Sequence, residues 1–315
     1  MRNDVIGIGE VLIDFSPIGT GRAGNPAYEM NPGGAPANML AAYCALGGSA
    51  AFIGAVGADL FADFLRKKLT ECGIDISGLS TIKGAHTTLA YVALDEQRQP
   101  SYHFMRENGA DGKLTRDMID LKMIDEAMAL HFGGVSLSIE TSRDAVLYAA
   151  RYAKDAGKTV TFDANYREML WNSVDEARRF INEGIALADI VKLSREEAEL
   201  VTGCASPERA AEQIFATGKR AVFVTLGAQG VYFMTAQERG TVESYDVKAV
   251  DTTGCGDAFM GAVLFQLLNE PAKMMHEVVR YANAVSALCA TKYGAMPAMP
   301  TQQEVTDFLM GDDAL

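Results

Sequence analysis

The chain has 315 residues, 49% of them hydrophobic, which is enough to bury a large core and lies near the length at which single cores stop growing. Its formal net charge is −13, with no block of lysine and arginine, which argues against nucleic acid or an anionic membrane as a partner. No apolar run approaches the roughly 20 residues of a bilayer span, and Asp4 stands where a secretory signal would continue its apolar stretch, so a cytoplasmic location is expected.

Along the chain, apolar runs of strand length alternate with amphipathic stretches of helix length. Val5–Ile8 predicts a buried strand, Ile13–Asn31 is extended and broken by glycine, Met39–Leu46 predicts a helix, Ala51–Val56 a strand and Phe61–Cys72 a helix. Thr87–Leu94 and Ser101–Arg106 alternate and flank the polar turn Asp95–Pro100, so they predict a hairpin instead. Strands at Ala129–Phe132, Thr159–Phe162, Ile190–Leu193 and Val222–Leu226 then alternate with helices at Arg143–Ala156, Val174–Leu187 and Pro207–Thr217. This order predicts an α/β fold with a mostly parallel central sheet and helices on both faces. Ligands gather at the carboxyl ends of strands in such sheets. No repeat, low-complexity tract or linker divides the chain, so residues 1–315 read as one domain.

One stretch carries chemistry. Asp251-Thr252-Thr253-Gly254-Cys255-Gly256-Asp257 runs into the apolar segment Ala258–Leu268. Its two glycines allow a tight turn whose N–H groups point outward at a helix start, which suits phosphate, and the Asp257 carboxylate sits beside that site as a candidate base. Rival motifs fail on spacing. Gly157-Lys158-Thr159 ends like a Walker A loop, but Tyr152 stands where its first glycine belongs; Gly7-Ile8-Gly9 opens like a dinucleotide fingerprint, but Leu12 replaces the third glycine. His86, His103, His131 and His276 show no metal-ligand spacing, and Cys44, Cys72, Cys204, Cys255 and Cys289 no C-x-x-C pair, as for reduced thiols inside a cell.

The D-T-T-G-C-G-D-A-F run resembles the C-terminal signature of the ribokinase-like (PfkB) carbohydrate kinases, with Cys255 in place of the usual Ala. Gly33-Gly34-Ala35-Pro36-Ala37-Asn38, Ala45-Leu46-Gly47-Gly48 and Phe52 to Asp59 resemble the family's other signature, and two long motifs in the right order are far more specific than either alone. The resemblance implies a ribokinase-like fold with a small β lid, about 13–32 and 86–107, and a homodimer paired through such lids. It implies ATP and Mg²⁺, with Asp257 as general base and the N–H groups of Gly254, Cys255, Gly256 and Asp257 as anion hole. Asp14, Gly33, Gly34, Asn38, Arg106 and Arg167 are the implied sugar contacts. Lys192, Ser194, Thr225, Gly227, Gly230 and Asn283 fall on the nucleotide side. Glu197 would act on Mg²⁺ through water, with Ser194 standing where many members have Asn. Asp251 and Thr253 match part of a monovalent-cation loop, making K⁺ a candidate, though Ala298 stands where some ribokinases carry Ser.

For the acceptor, Leu12-Ile13-Asp14-Phe15, Arg106 with Gly109-Ala110-Asp111, and Asn165-Tyr166-Arg167 with Leu170-Trp171 look most like fructokinases. The Asn-Tyr-Arg element also occurs in 2-keto-3-deoxygluconate kinases, the alternative acceptor. A regulator that binds sugar or nucleotide without turnover is the reading from another class, because fold does not fix function.

Overall fold

The computed structural model describes residues 3–94 and 100–312. Nine strands form one sheet: β1 Val5–Ile8, β4 Ala50–Gly57, β5 Ile74–Ile82, β8 Ala129–Gly133, β9 Thr159–Asp163, β10 Ile190–Ser194, β11 Ala221–Thr225, β12 Val231–Thr235 and β13 Arg239–Val242. A second, four-stranded sheet holds β2 Leu12–Thr20, β3 Pro26–Gly33, β6 Leu89–Leu94 and β7 Pro100–Met105. The strand order is β13-β12-β11-β10-β9-β8-β1-β4-β5 in the first and β3-β2-β6-β7 in the second. The large sheet is parallel except at one edge, where β11, β12 and β13 pair antiparallel. Its central strands are apolar on both sides and buried at every position of β1, β4 and β8, as expected of strands covered on both faces.

The helices are α1 Ala35–Ala45, α2 Leu60–Glu71, α3 Leu121–Glu126, α4 Glu140–Asp155, α5 Val174–Leu187, α6 Arg195–Thr202, α7 Pro207–Phe215, α8 Cys255–Asn269, α9 Met275–Ala290 and α10 Gln302–Asp312. They divide between two cores. One packs Leu40, Met260 and Val279 against Phe52 and Phe223, and the other packs Val146, Ile181 and Ile214 against Ile6 and Phe162. No helix among the described residues is long and apolar enough to cross a membrane.

The expected strands and helices are present, with shifts at their ends. The helix read at Met39 starts at Ala35, because a proline in the first turn already has a helical φ and lacks only an N–H that would find no partner there. Strand β11 ends at Thr225 and releases Leu226 into a 3₁₀ turn. The hairpin of β6 and β7 is antiparallel as read; of its turn, residues 95–99 lie outside the described residues. The extended segment after residue 12 is itself a hairpin, and β2 joins β6 in parallel to complete the second sheet.

Helix α8 is buried continuously from Asp257 to Gln266, so its placement depends on packing on all sides. A Cβ at Gly261 would lie 2.7 Å from the Met39 carbonyl oxygen and 2.8 Å from the Ala42 Cβ of α1. We therefore expect Gly261→Ala to push α1 and α8 apart and to cost about 1–3 kcal/mol of stability, the range for overpacked cores. Urea denaturation checks this, and a midpoint equal to wild type would refute the close-contact account.

Candidate active site

Two cavities of about 530 and 510 Å³ open at the carboxyl ends of the parallel strands. The first is walled by Thr225, Gly227 and Gly230 after β11, by Tyr245 and Val247 beyond β13, and by Phe259 and Asn283 from α8 and α9. Asp14, Gly34, Asn38, Arg167, Lys192 and Asp257 line the second. Thr252 and Gly256 line both, so the turn before α8 is where the two cavities meet.

That turn is made by Gly254 at φ 81°, a left-handed conformation that favours glycine. Cys255 N–H donates to the Thr252 carbonyl at 3.2 Å and Thr253 N–H to Asp251 Oδ1 at 2.9 Å. Of the four expected anion-hole donors, Cys255 spends its N–H closing the turn. The N–H groups of Gly256 and Asp257, in the first turn of α8, precede the first carbonyls that the helix can offer them, and they sit at the positive end of the helix.

Asp257 is 7% exposed, and its Oδ2 accepts a 2.8 Å hydrogen bond from Asn38 Nδ2. Burial pushes its pKa up to about 7, with Asp163 adding to the rise and Asn38, Lys192 and Arg167 opposing it. Asn38 Oδ1 is buried with no hydrogen-bond partner among the described residues, an acceptor available to a hydroxyl. Lys192 Nζ lies 3.0 and 2.9 Å from the two oxygens of Asp163, and a Cβ on Gly256 would stand 2.7 Å from that ammonium. Burial alone would push the lysine down, but Asp163, Glu197 and Asp257 outweigh it and hold the ammonium above its ordinary range. Asp14 is pushed up to about 7 by burial, against the pull of Arg167 and with a further push from Asp251.

Glu197 and Ser194 form a capping box at the start of α6: Ser194 Oγ accepts from Glu197 N–H, and Glu197 Oε2 accepts from Ser194 N–H at 2.7 Å. Glu197 Oε1 accepts from Tyr166 N–H at 2.6 Å. With both oxygens engaged, this carboxylate fits a water-mediated contact to Mg²⁺ better than direct ligation. Among the described residues no cluster of three or more His, Cys, Asp or Glu is placed to hold a metal ion.

Other expected residues are committed elsewhere. Arg106 lines neither cavity. Its Nε donates to Asp111 Oδ2 at 2.7 Å and its Nη1 to the Val135 carbonyl and Ser138 Oγ, while Nη2 is ion-paired with the same Asp111 oxygen but makes no hydrogen bond among the described residues, a buried network apart from both cavities. Gly33 also lies outside the lining, packed against the Asp14 carboxylate, whereas Gly34, at φ 108°, reaches the cavity. Asn283 lines the first cavity but gives its amide hydrogens to the Val242 and Glu243 carbonyls, holding that wall. Asp251 places its second oxygen on Gly294 N–H at 2.9 Å.

Sequence reasoning missed Asp163 and Glu10. Both stand at or just past the carboxyl end of a predicted strand, which was the available signal. Glu10 lines the second cavity, accepts from Ala35 N–H at 3.1 Å and from the Ser136 hydroxyl, and is pushed up by burial. Cys255 Sγ, hydrogen-bonded by Cys289, is held below the usual thiol range by that bond.

Comparison with known proteins agrees with this geometry. Residues 2–302 match the family described as pfkB family carbohydrate kinase. Fructokinase-1 of Oryza sativa subsp. japonica is 41% identical over 309 residues, covering 96% of both chains, and Fructokinase-1 of Zea mays is 40% identical, covering 98% of both. Among solved structures, a fructokinase with bound ATP from Xylella fastidiosa superposes with a TM-score of 0.92 at 29% identity, covering 99% of this chain and 100% of that one. An Escherichia coli protein solved with ATP and Mg²⁺ superposes at 0.89 with 31% identity, covering 98% and 99%.

The Lys192 and Asp163 pair gives a stability test. Asp163→Asn leaves a buried ammonium without its partner and is expected to cost about 3–5 kcal/mol, whereas Asp163→Asn with Lys192→Met removes both charges and recovers much of the loss. Urea midpoints of the two variants measure this; equal losses in both would mean that the pair is not what Asp163 contributes.

Proposed function

The chain belongs to the pfkB family of carbohydrate kinases, and we propose that within it the protein transfers the γ-phosphate of ATP to the 6-hydroxyl of D-fructose. The observation that carries this reading is the shared wall: one glycine turn at a helix N-terminus separates a cavity of about 530 Å³, large enough for a nucleoside, from a cavity ringed by carboxyl groups and an amide. A donor on one side and a hydroxyl on the other meet at Gly256 and Asp257.

The nucleoside of ATP occupies the first cavity, along Thr225, Gly227, Gly230 and Asn283, and its phosphates run toward the turn. The phosphoryl in flight carries its charge on equatorial oxygens, so positioned donors matter more than covalent chemistry. The N–H groups of Gly256 and Asp257, with the Lys192 ammonium directly behind Gly256, face that charge. Mg²⁺ would be held by the phosphates and, through water, by Glu197, and it supplies charge neutralisation between the phosphate oxygens. Asp257 takes the proton of the attacking hydroxyl, and Asn38 orients that carboxylate. Asp14, the Asn38 carbonyl oxygen and Gly34 hold the sugar.

The charge of the second cavity favours a neutral acceptor. Glu10, Asp14, Glu196, Glu197 and Asp257 line it against only Arg167 and Lys192. Lys192 is committed to Asp163, and Arg167 already pulls on Asp14 and Asp257. Burial already pushes up Glu10, Asp14, Glu197 and Asp257, so a further carboxylate is disfavoured there, whereas fructose brings only hydroxyls.

Three measurements follow from these assignments. Asp257→Asn should keep ATP and fructose binding but lose a factor of at least about 10² in kcat, because the amide cannot accept the proton; turnover within about tenfold of wild type would reject Asp257 as the base and leave a binding role. Wild-type kcat/KM should fall as pH drops below about 7, where Asp257 becomes protonated, and Lys192→Met should move that limb to higher pH, since the ammonium favours the ionised carboxylate. The limb should persist in Asp14→Asn, which removes the cavity's other group of similar pKa. In a coupled assay across fructose, ribose and 2-keto-3-deoxygluconate, fructose should have the highest kcat/KM, and Arg167→Met should not abolish discrimination against the acid. A wild-type preference for the acid that disappears in Arg167→Met would replace fructose with the sugar acid.

A further inference from the structure

Four of the five cysteines stand in two neighbouring pairs, and only one pair reaches a cavity. Cys255 is the first residue of α8, half-buried, and its side chain lines the nucleotide cavity. Cys289, on α9, is buried behind it. Two positions one helical turn apart on α9 grip the glycine turn: the Ser286 hydroxyl donates to the Cys255 carbonyl at 3.0 Å, and the Cys289 thiol lies 3.9 Å from the Thr253 carbonyl oxygen. Each thiol also shifts the titration of the other, Cys289 drawing Cys255 below the usual thiol range. The Cys289 sulfur therefore sits at the same glycine turn as Cys255, on its buried side.

We propose that Cys255 and Cys289 form an oxidative modification site, in which a hydroperoxide converts the two thiols to a disulfide that disables the phosphate-facing turn of the nucleotide cavity. The peroxide enters by the cavity and gives one oxygen to Cys255, forming the sulfenic acid and releasing water. The Cys289 sulfur then attacks the Cys255 sulfur, the S–S bond forms, the S–O bond breaks, and the departing oxygen leaves as a second water carrying the Cys289 proton. In sum, two thiols and one H₂O₂ give one disulfide and two waters.

The cross-link ties the first residue of α8 to α9 and turns the Cys255 side chain away from the cavity. The Thr252 to Gly256 turn is then fixed by the bridge and no longer free to aim its N–H groups at phosphate. That consequence rests on the nucleotide reading above, but the formation of the disulfide does not. The other pair supplies an internal comparison. Cys44 lies 3.9 Å from the Gly73 carbonyl oxygen beside Cys72, lines neither cavity, and is pushed up to about 12 by burial, so it stays a thiol.

The test treats the full chain with hydrogen peroxide, with and without ATP, then maps peptides and measures binding of a fluorescent ATP analogue. A Cys255–Cys289 linked peptide is expected, together with a loss of nucleotide affinity of about tenfold or more, protection by ATP, and recovery with dithiothreitol. In Cys289→Ala the linked peptide is absent and Cys255 accumulates as its sulfenic and sulfinic acids, so that recovery with dithiothreitol becomes incomplete. Cys255 and Cys289 still free to alkylate after treatment, or a bridge confined to Cys44 and Cys72, overturns the site. A Cys255–Cys289 bridge with unchanged nucleotide affinity overturns the effect on the turn. If the untreated protein itself fails to bind the analogue, the nucleotide reading is what fails, and the peptide map still decides the disulfide.

Discussion

A lysine ammonium in a water-poor space needs a carboxylate within hydrogen-bonding distance, and this requirement organises the centre of the molecule. Lys192 and Asp163 are register partners on the adjacent parallel strands β10 and β9. A slip of one residue would turn every side chain of one strand to the opposite face and strand both charges. The pair therefore constrains the alignment of the strands as well as occupying the site they form. Once aligned, the strands deliver the ammonium beneath Gly256, and its field helps keep the buried Asp257 ionisable near neutral pH.

Two close approaches along α8 connect this pair to the rest of the fold. At Gly256 the helix comes near the Lys192 ammonium, and at Gly261 it comes near the backbone of α1. The second contact brings Asn38, on α1, within hydrogen-bonding distance of Asp257. Side chains at either glycine would separate partners that lie far apart in sequence, so the glycines of this helix set distances as well as turns. The same helix has a long apolar run because it is buried on every side, and its amino end is the part that meets both cavities.

Much of this was legible in the sequence where periodicity and spacing act locally. The central strands are apolar runs because they are buried on both faces, and the α8 turn is a dense cluster of glycine and aspartate. Edge elements were harder to read. β5 alternates buried and exposed positions irregularly, and β12 and β13 break the strand and helix alternation by returning antiparallel. α9 was unread although it carries Asn283 and Cys289. The site residues that sequence reasoning misplaced or missed depend on tertiary partners. Arg106 resembles a ligand-binding arginine until Asp111, five residues on, is seen to neutralise it inside the protein. Asp163 resembles an ordinary strand-end acid until the neighbouring strand brings Lys192 to it. No single-chain pattern contains either pairing.

The acidic balance of the chain fits an anionic co-substrate once the scale of each effect is considered. Surface charges act through water and are screened within about 10 Å at moderate ionic strength, so a net charge of −13 excludes broad polyanionic partners more than it opposes one phosphate group at a built site. At the turn before α8 the relevant charges are backbone dipoles and a lysine that is 7% exposed, where water and salt screen little. In the proposed reading, the carboxylates around them serve the neutral acceptor and the proton. Recognition of phosphate is thus assigned to a few short, buried interactions, and the surface can stay acidic without opposing it.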